Sequence, residues 1–483
     1  MSEVAAATPV PLSRKPLLAP AQWVGLIVGI AGYLVPSFVS FDGLSPAGHR
    51  MLSIFFMAVV FWLTEAVPMW ANGVLIILLE VLTLSDKMVL GVPEGFKPIP
   101  YASVFQSLAD PVIILFLGGF FLADTATKYQ LDKNLARIML KPLGSNPKLI
   151  LLGFLLISAV FSMFMSNTAT TATFMAVVLP VIALLPADDR LRAALALAIP
   201  IGANIGGIGT PIGTPPNAIA LGALAKASPD GQAPITFIQW MKGAVPFMLL
   251  FLTIAYMMLL VLFRSDTKTV KVQMSGSFDR SPKAIVFYIT FAGTVVLWMT
   301  ESLHGMNSNV VGFIPVVVLS CFRIFSVADL QSLEWHVLWL VAGGIALGTG
   351  IGGTGMGQWF VGLFPWENMA PAVLVAIMTL ASLIVGTFIS HSATTNLLVP
   401  IAIVLAKSLP GIDPVSAAVF VAIGSSLAMA LPISTPPNAI AFATGQVKVK
   451  DMAVVGAILG IVCWSIFAAT GPWFWKLLGI LPR

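Results

Sequence analysis

Ser166-Asn167-Thr168 and Gly213-Thr214-Pro215-Pro216-Asn217 place hydroxyls, amides and helix-breaking prolines inside an otherwise apolar chain. Each recurs once, in the same order. Ser390-His391-Ser392 follows the first by 224 residues, and Ser434-Thr435-Pro436-Pro437-Asn438 follows the second by 221. Hydroxyls and the Asn carbonyl accept hydrogen bonds, while the Asn amide and the hydroxyls donate them. A helix start offers N–H groups and a positive dipole end to an anion, and unwound carbonyls suit a small hard cation. Such segments can therefore hold an anion and a cation side by side, and duplication makes them two walls of one site.

No catalytic set competes with them. His49, His304 and His336 fall near the ends of apolar spans, as do Glu65, Asp110 and Glu301, while Glu80 and Asp124 lie at membrane depth. Cys321 and Cys463 sit in apolar stretches and read as packing residues, too few for a disulfide framework or a metal cluster. The chain reads as a non-enzyme without an organic cofactor.

The elements that position the motifs follow from composition. With 58% hydrophobic and only 9% charged residues in 483, the chain is an all-α polytopic protein whose solvent is the lipid bilayer. Its basic residues cluster in loops, where they act as orientation signals and do not imply a nucleic-acid partner. Residues 1–20 read as a polar cytoplasmic tail and not a cleavable signal, so the first span remains as an anchor. About eleven spans are expected, with two re-entrant hairpins at 149–185 and 371–409 and two broken helices at 191–224 and 415–443. The hairpin tips carry Asn167 and His391, and the breaks coincide with the Pro-Pro pairs.

The halves, 21–264 and 284–483, are joined by a basic linker at 265–283. Lys128, Lys133, Arg137, Lys141 and Lys148 precede the first hairpin, whereas 354–370 before the second contains no Lys or Arg. Under the positive-inside rule the first hairpin enters from the cytoplasm and the second from outside, an inverted-topology repeat with a cytoplasmic N-terminus in the cell's inner (plasma) membrane. Inverted repeats with broken helices and a midplane site characterise secondary transporters. An anion channel is the alternative of another class.

These motifs, with Thr64-Glu65-Ala66-Val67-Pro68, resemble the signature segments of the divalent anion/sodium symporter family, carriers of C4-dicarboxylates such as succinate, malate and fumarate, of citrate and in some members of sulfate. The resemblance covers nearly the whole chain after the tail. It implies an elevator-type homodimer with a scaffold domain and a mobile transport domain, Na+ as the coupling ion and a small dicarboxylate anion as substrate. By position, the first sodium site is Ser162, Ser166, Asn167 and the Gly213 carbonyl. Substrate carboxylates meet Asn167, Thr168, Thr214 and Pro215 from one half and His391, Ser392, Thr435 and Pro436 from the other. A second sodium site falls at Gly386, Ile389, His391 and Ser434.

The chain departs from that pattern at His391, where Asn is expected. A protonated imidazole would stand in for the second cation and favour sodium-independent exchange, as in the citrate/succinate-type exchangers that this tip resembles. A neutral ring would hydrogen-bond the substrate and leave sodium to backbone carbonyls. Both readings stand at the level of sequence.

Overall fold

The computed structural model describes residues 19–229, 231, 233–270, 277–363, 366 and 369–481. The tail up to residue 18 and linker residues 271–276 lie outside the described residues. Helices of the first half are α1 (Pro20–Leu34), α2 (Pro46–Thr64), α3 (Met69–Leu84), α4 (Tyr101–Phe105), α5 (Pro111–Lys128), α6 (Leu131–Leu140), α7 (Pro147–Ser162), α8 (Asn167–Ala183), α9 (Leu191–Gly207), α10 (Pro215–Ala227) and α11 (Phe237–Leu262). The second half supplies α12 (Pro282–Met299), α13 (Glu301–His304), α14 (Ser308–Cys321), α15 (Val327–Ser332), α16 (Trp335–Gly353), α17 (Met356–Gly362), α18 (Pro371–Phe388), α19 (His391–Ser408), α20 (Pro414–Ser426), α21 (Pro436–Ala443) and α22 (Val449–Leu477).

Among the described residues eight helices are long and apolar enough to cross a membrane, accompanied by shorter apolar helices that include α3, α7, α8, α9, α14 and α20. One of the eight, α18, is the first arm of the second hairpin. Proline explains the sharp starts. Pro46, Pro111, Pro147, Pro282 and Pro414 occupy first helical positions behind Ser45, Asp110, Asn146, Ser281 and Asp413, whose side chains accept from first-turn amides.

α7 and α8 meet at 163–166, and α18 and α19 meet at 389–390. Ser166 and Ser390 cap α8 and α19 in the same way, each accepting from the amide three residues on at 3.2 Å. The chain unwinds at 208–214 and again at 427–435 before proline restarts the helix.

Packing repeats with the halves exchanged: α5 lies on α14 and α3 on α16. Glycine permits both crossings, since a methyl on Gly118 would strike the Gly312 carbonyl and one on Gly343 would strike Gly73 Cα. The hairpins pack on their own broken helices, α7 and α8 on α9 and α18 and α19 on α20.

Two local expectations need correction. The basic stretch taken as a loop before the first hairpin contains α6, an amphipathic helix that buries Leu131, Ala136 and Leu140 and exposes Lys133. Ten residues, four of them polar, give no span-like run. Cys463 packs as expected, but Cys321 is exposed at the end of α14.

Candidate functional site

The twin motifs meet across the halves. The second Pro-Pro helix, α21, packs against α8 and α9, while the first, α10, packs against α19 and α20. Each half's Pro-Pro helix thus packs on helices of the other half.

At the first tip, Ser162, Asn167 and the Gly213 carbonyl come together as expected. Ser162 is fully buried, and its hydroxyl donates to Asn167 Oδ1 at 2.5 Å. The Asn167 amide has two settings. With Nδ2 turned inward it donates to Gly213 O at 3.1 Å and Ala203 O at 3.2 Å, but its bond to Asn204 is lost. With Oδ1 inward, Nδ2 donates to Asn204 Oδ1 at 3.5 Å, and the side-chain oxygens of Asn167 and Ser162 converge with the two carbonyls. In that setting the hydroxyl, amide and carbonyl oxygens are the hard donors a small cation takes, whereas in the other the amide itself satisfies Ser162 Oγ, Gly213 O and Ala203 O. Gly213 borders the same space, because a Cβ there would lie 2.5 Å from Gly207 O and 2.9 Å from Ser162 O. The residues present fit a sodium ion. Ser166 faces outward from this cage and donates to Glu334 Oε1 at 3.2 Å, placing a carboxylate beside the tip.

The second tip differs chemically. His391 is buried, and its Nε2 lies 2.6 Å from Ala428 O, which fixes that nitrogen as a donor. Ser434 donates to Thr387 O at 2.7 Å and accepts from Leu431 N at 3.1 Å. Gly386 approaches the same strand of backbone, with a Cβ lying 3.0 Å from Ala428 Cβ, and Ile389 is buried beside the tip. The four residues named for a second sodium site therefore gather. The His391 and Ser434 side chains, however, are already engaged, and an N–H points where a cation would need oxygen. These two side chains offer no free oxygen to a second sodium.

Of the hydroxyls expected on substrate, Thr168, Thr214 and Ser392 have no protein hydrogen-bond partner among the described residues. Thr435 Oγ1 accepts from Asn438 N at 3.2 Å and Asn204 Nδ2 at 3.3 Å, keeping its own proton to donate. Pro215 is partly buried and Pro436 exposed. Four helix starts, those of α8, α10, α19 and α21, carry these residues, an arrangement suited to two carboxylates.

Sequence reasoning passed over three residues that organise the site. Asn204 Nδ2 donates to Thr435 Oγ1 at 3.3 Å and Asn438 Oδ1 at 3.2 Å, and its own Oδ1 faces Asn167. Asn217 Nδ2 donates to Gly207 O at 2.9 Å and Thr210 O at 2.8 Å; Asn438 Nδ2 donates to Met429 O at 2.8 Å and Leu431 O at 3.0 Å. Each closes the carbonyls freed by its own break, which a membrane interior requires. The motif contained both Asn residues, and a lone Asn in the apolar run Ile201–Ile205 was the signal for Asn204.

The family model for the sodium:sulfate symporter transmembrane region matches residues 21–481. The chain belongs to this family. It is a transporter family and not an enzyme family, so the assembled motifs are those of a membrane transporter. Relatives include an uncharacterized transporter of Haemophilus influenzae, 30% identical over 89% of this chain and 92% of its own length. The sodium-dependent dicarboxylate transporter SdcS of Staphylococcus saprophyticus is 30% identical over 90% of this chain and 88% of its own. Sodium-dependent high-affinity dicarboxylate transporter 3 of Caenorhabditis elegans is 26% identical, covering 83% and 79%. Among solved structures, the YdaH transporter of Alcanivorax borkumensis matches with a TM-score of 0.52 over 87% of this chain and 98% of its own, at 12% identity, a likeness of fold alone.

Proposed function

We propose that the chain is a secondary transporter of C4-dicarboxylates in the plasma membrane, working by alternating access and driven by sodium bound at the first tip. The oxygen cage around Asn167 carries this reading, because the same side chain serves a cation on one face and the anion site on the other. The relatives that transport dicarboxylates with sodium support the substrate class and the coupling ion. Each carboxylate is held by hydroxyls and amide groups at paired helix starts: Asn167, Thr168, Thr214 and Pro215 on one side, Ser392, Thr435 and Pro436 with the His391 segment on the other. At the second tip the imidazole N–H satisfies Ala428 O and takes the place of a second sodium.

Inverted repeats support alternating access in this reading. Lys407, at the end of α19, donates to Ala227 O at the end of α10, while Arg192, at the start of α9, donates to Gln446 just past α21. The ends of the equivalent helices α10 and α21 are thus each held by a residue of the other half. In this reading the N-terminus is cytoplasmic, and the protein works as an elevator-type homodimer with the twin-motif bundle as its mobile part.

Exchange of one dicarboxylate for another is the second reading, favoured by the His391–Ala428 bond. Succinate uptake into proteoliposomes, with sodium replaced by choline and with or without internal dicarboxylate, separates the readings. Loss of uptake in choline supports symport; uptake that persists in choline and requires internal dicarboxylate establishes exchange. Uptake with neither dependence points to a channel.

A further inference from the structure

A cleft of about 510 Å³ opens far from the twin motifs, between the start of α9, the end of α11 and the start of α22. Arg190, Lys448 and Lys450 line it, all exposed, opposite the apolar side chains Leu262, Phe263 and Val454. The Arg190 guanidinium sits 5.1 Å from the centroid of the Phe263 ring, held at the seam between the charged and apolar walls.

Two helix starts converge on the same space. Arg190 is the N-cap of α9 and Lys448 that of α22, and neither side chain caps its helix. The first-turn amides of the 29-residue α22 therefore add a positive dipole end to the three cations. Asp451 is the one acidic side chain lining the cleft, leaving three cations against one carboxylate. Asp189, beside Arg190, is turned away and bonded to Ser265, Thr267 and the Leu191 amide.

The apolar wall continues outward along exposed side chains of the same two helices, Met257 and Val261 on α11 and Ile458 and Ile461 on α22. A soluble anion would use only the basic end of such a surface. An acyl chain attached to a phosphate uses both.

We propose that this cleft binds the phosphodiester headgroup of an anionic phospholipid, with one acyl chain lying along α11 and α22. The headgroup phosphate meets Arg190, Lys448 and Lys450. Bound there, the lipid joins the end of α11 to the starts of α9 and α22, elements that flank the first break and follow the second.

Native mass spectrometry of the purified full-length protein tests this, using phosphatidylglycerol and phosphatidylcholine of identical acyl chains. The expected result is retention of phosphatidylglycerol with a preference on the order of tenfold or more, given three basic side chains. The preference should vanish in the R190Q/K448Q/K450Q variant and survive in R190K/K448R/K450R. A photoactivatable phosphatidylglycerol on the unmodified protein gives a readout independent of variant folding, with cross-links expected in the segments holding Phe263 and Val454. Displacement of the lipid by millimolar inorganic phosphate would assign the cleft to a soluble anion and overturn the lipid assignment. Equal retention of both lipids, a preference that survives charge removal, or cross-links confined to other segments would also overturn it.

Discussion

Asn204 Nδ2 donates to Asn438 Oδ1 at 3.2 Å, joining the first broken helix to the second Pro-Pro motif across 234 residues of sequence. With its Oδ1 facing Asn167, Asn204 stands between the first hairpin tip and the opposite half. Asn204→Ala should therefore lose most transport and cost about 1–3 kcal/mol in stability, the range for orphaning a buried hydrogen-bond partner. Uptake and thermal unfolding of the same preparation check both effects. Normal uptake would remove Asn204 from the site.

Asn217 and Asn438 act as donors toward the broken backbone. Asn217→Asp and Asn438→Asp keep size and acceptor while removing the amide N–H groups that two carbonyls require. Each should destabilise about as much as the corresponding Ala variant, at roughly 1–3 kcal/mol per orphaned carbonyl. Melting temperatures in one detergent decide it, and a fully stable Asp variant would contradict the latch.

Gly213→Ala places a methyl group against Gly207 O and Ser162 O, inside the cage. The sodium concentration for half-maximal uptake should rise severalfold. Substrate affinity at saturating sodium should change less. If sodium dependence is unmoved while substrate affinity falls, the cage is not the coupling site.

His391→Asn replaces an N–H aimed at Ala428 O with an amide that offers an oxygen. Sodium dependence should strengthen, and the sodium response should become steeper as a second ion binds. Uptake measured against sodium for both proteins tests this, with an identical response counting against imidazole as the substitute.

Gly118→Ala and Gly343→Ala bring a methyl group onto the facing backbone at equivalent crossings. Each should cost about 1–3 kcal/mol, the usual range for overpacking. Gly352→Ala, with nothing within 4 Å of the added carbon, is the control and should be neutral or slightly stabilising. Expression and unfolding temperature report the contrast.

Much of this arrangement was legible in the sequence because its causes are local. A proline that cannot continue a helix and a serine that caps the next one act within a single turn, so both hairpin tips and both breaks fall where Ser166, Ser390, Pro215 and Pro436 place them. Apolar composition likewise determined the membrane class, and repetition at 224 and 221 residues determined the duplication. What the sequence left open depends on approach between distant segments. That the second Pro-Pro helix packs on α8 and α9, that Asn204 reaches its Thr435 and Asn438, and that His391 spends its N–H on Ala428 were decided only by the tertiary structure. Each requires one hydrogen-bonding atom to lie within about 3 Å of another on a different helix. No local rule of capping or periodicity carries that distance; the packing of broken helices across the two halves sets it.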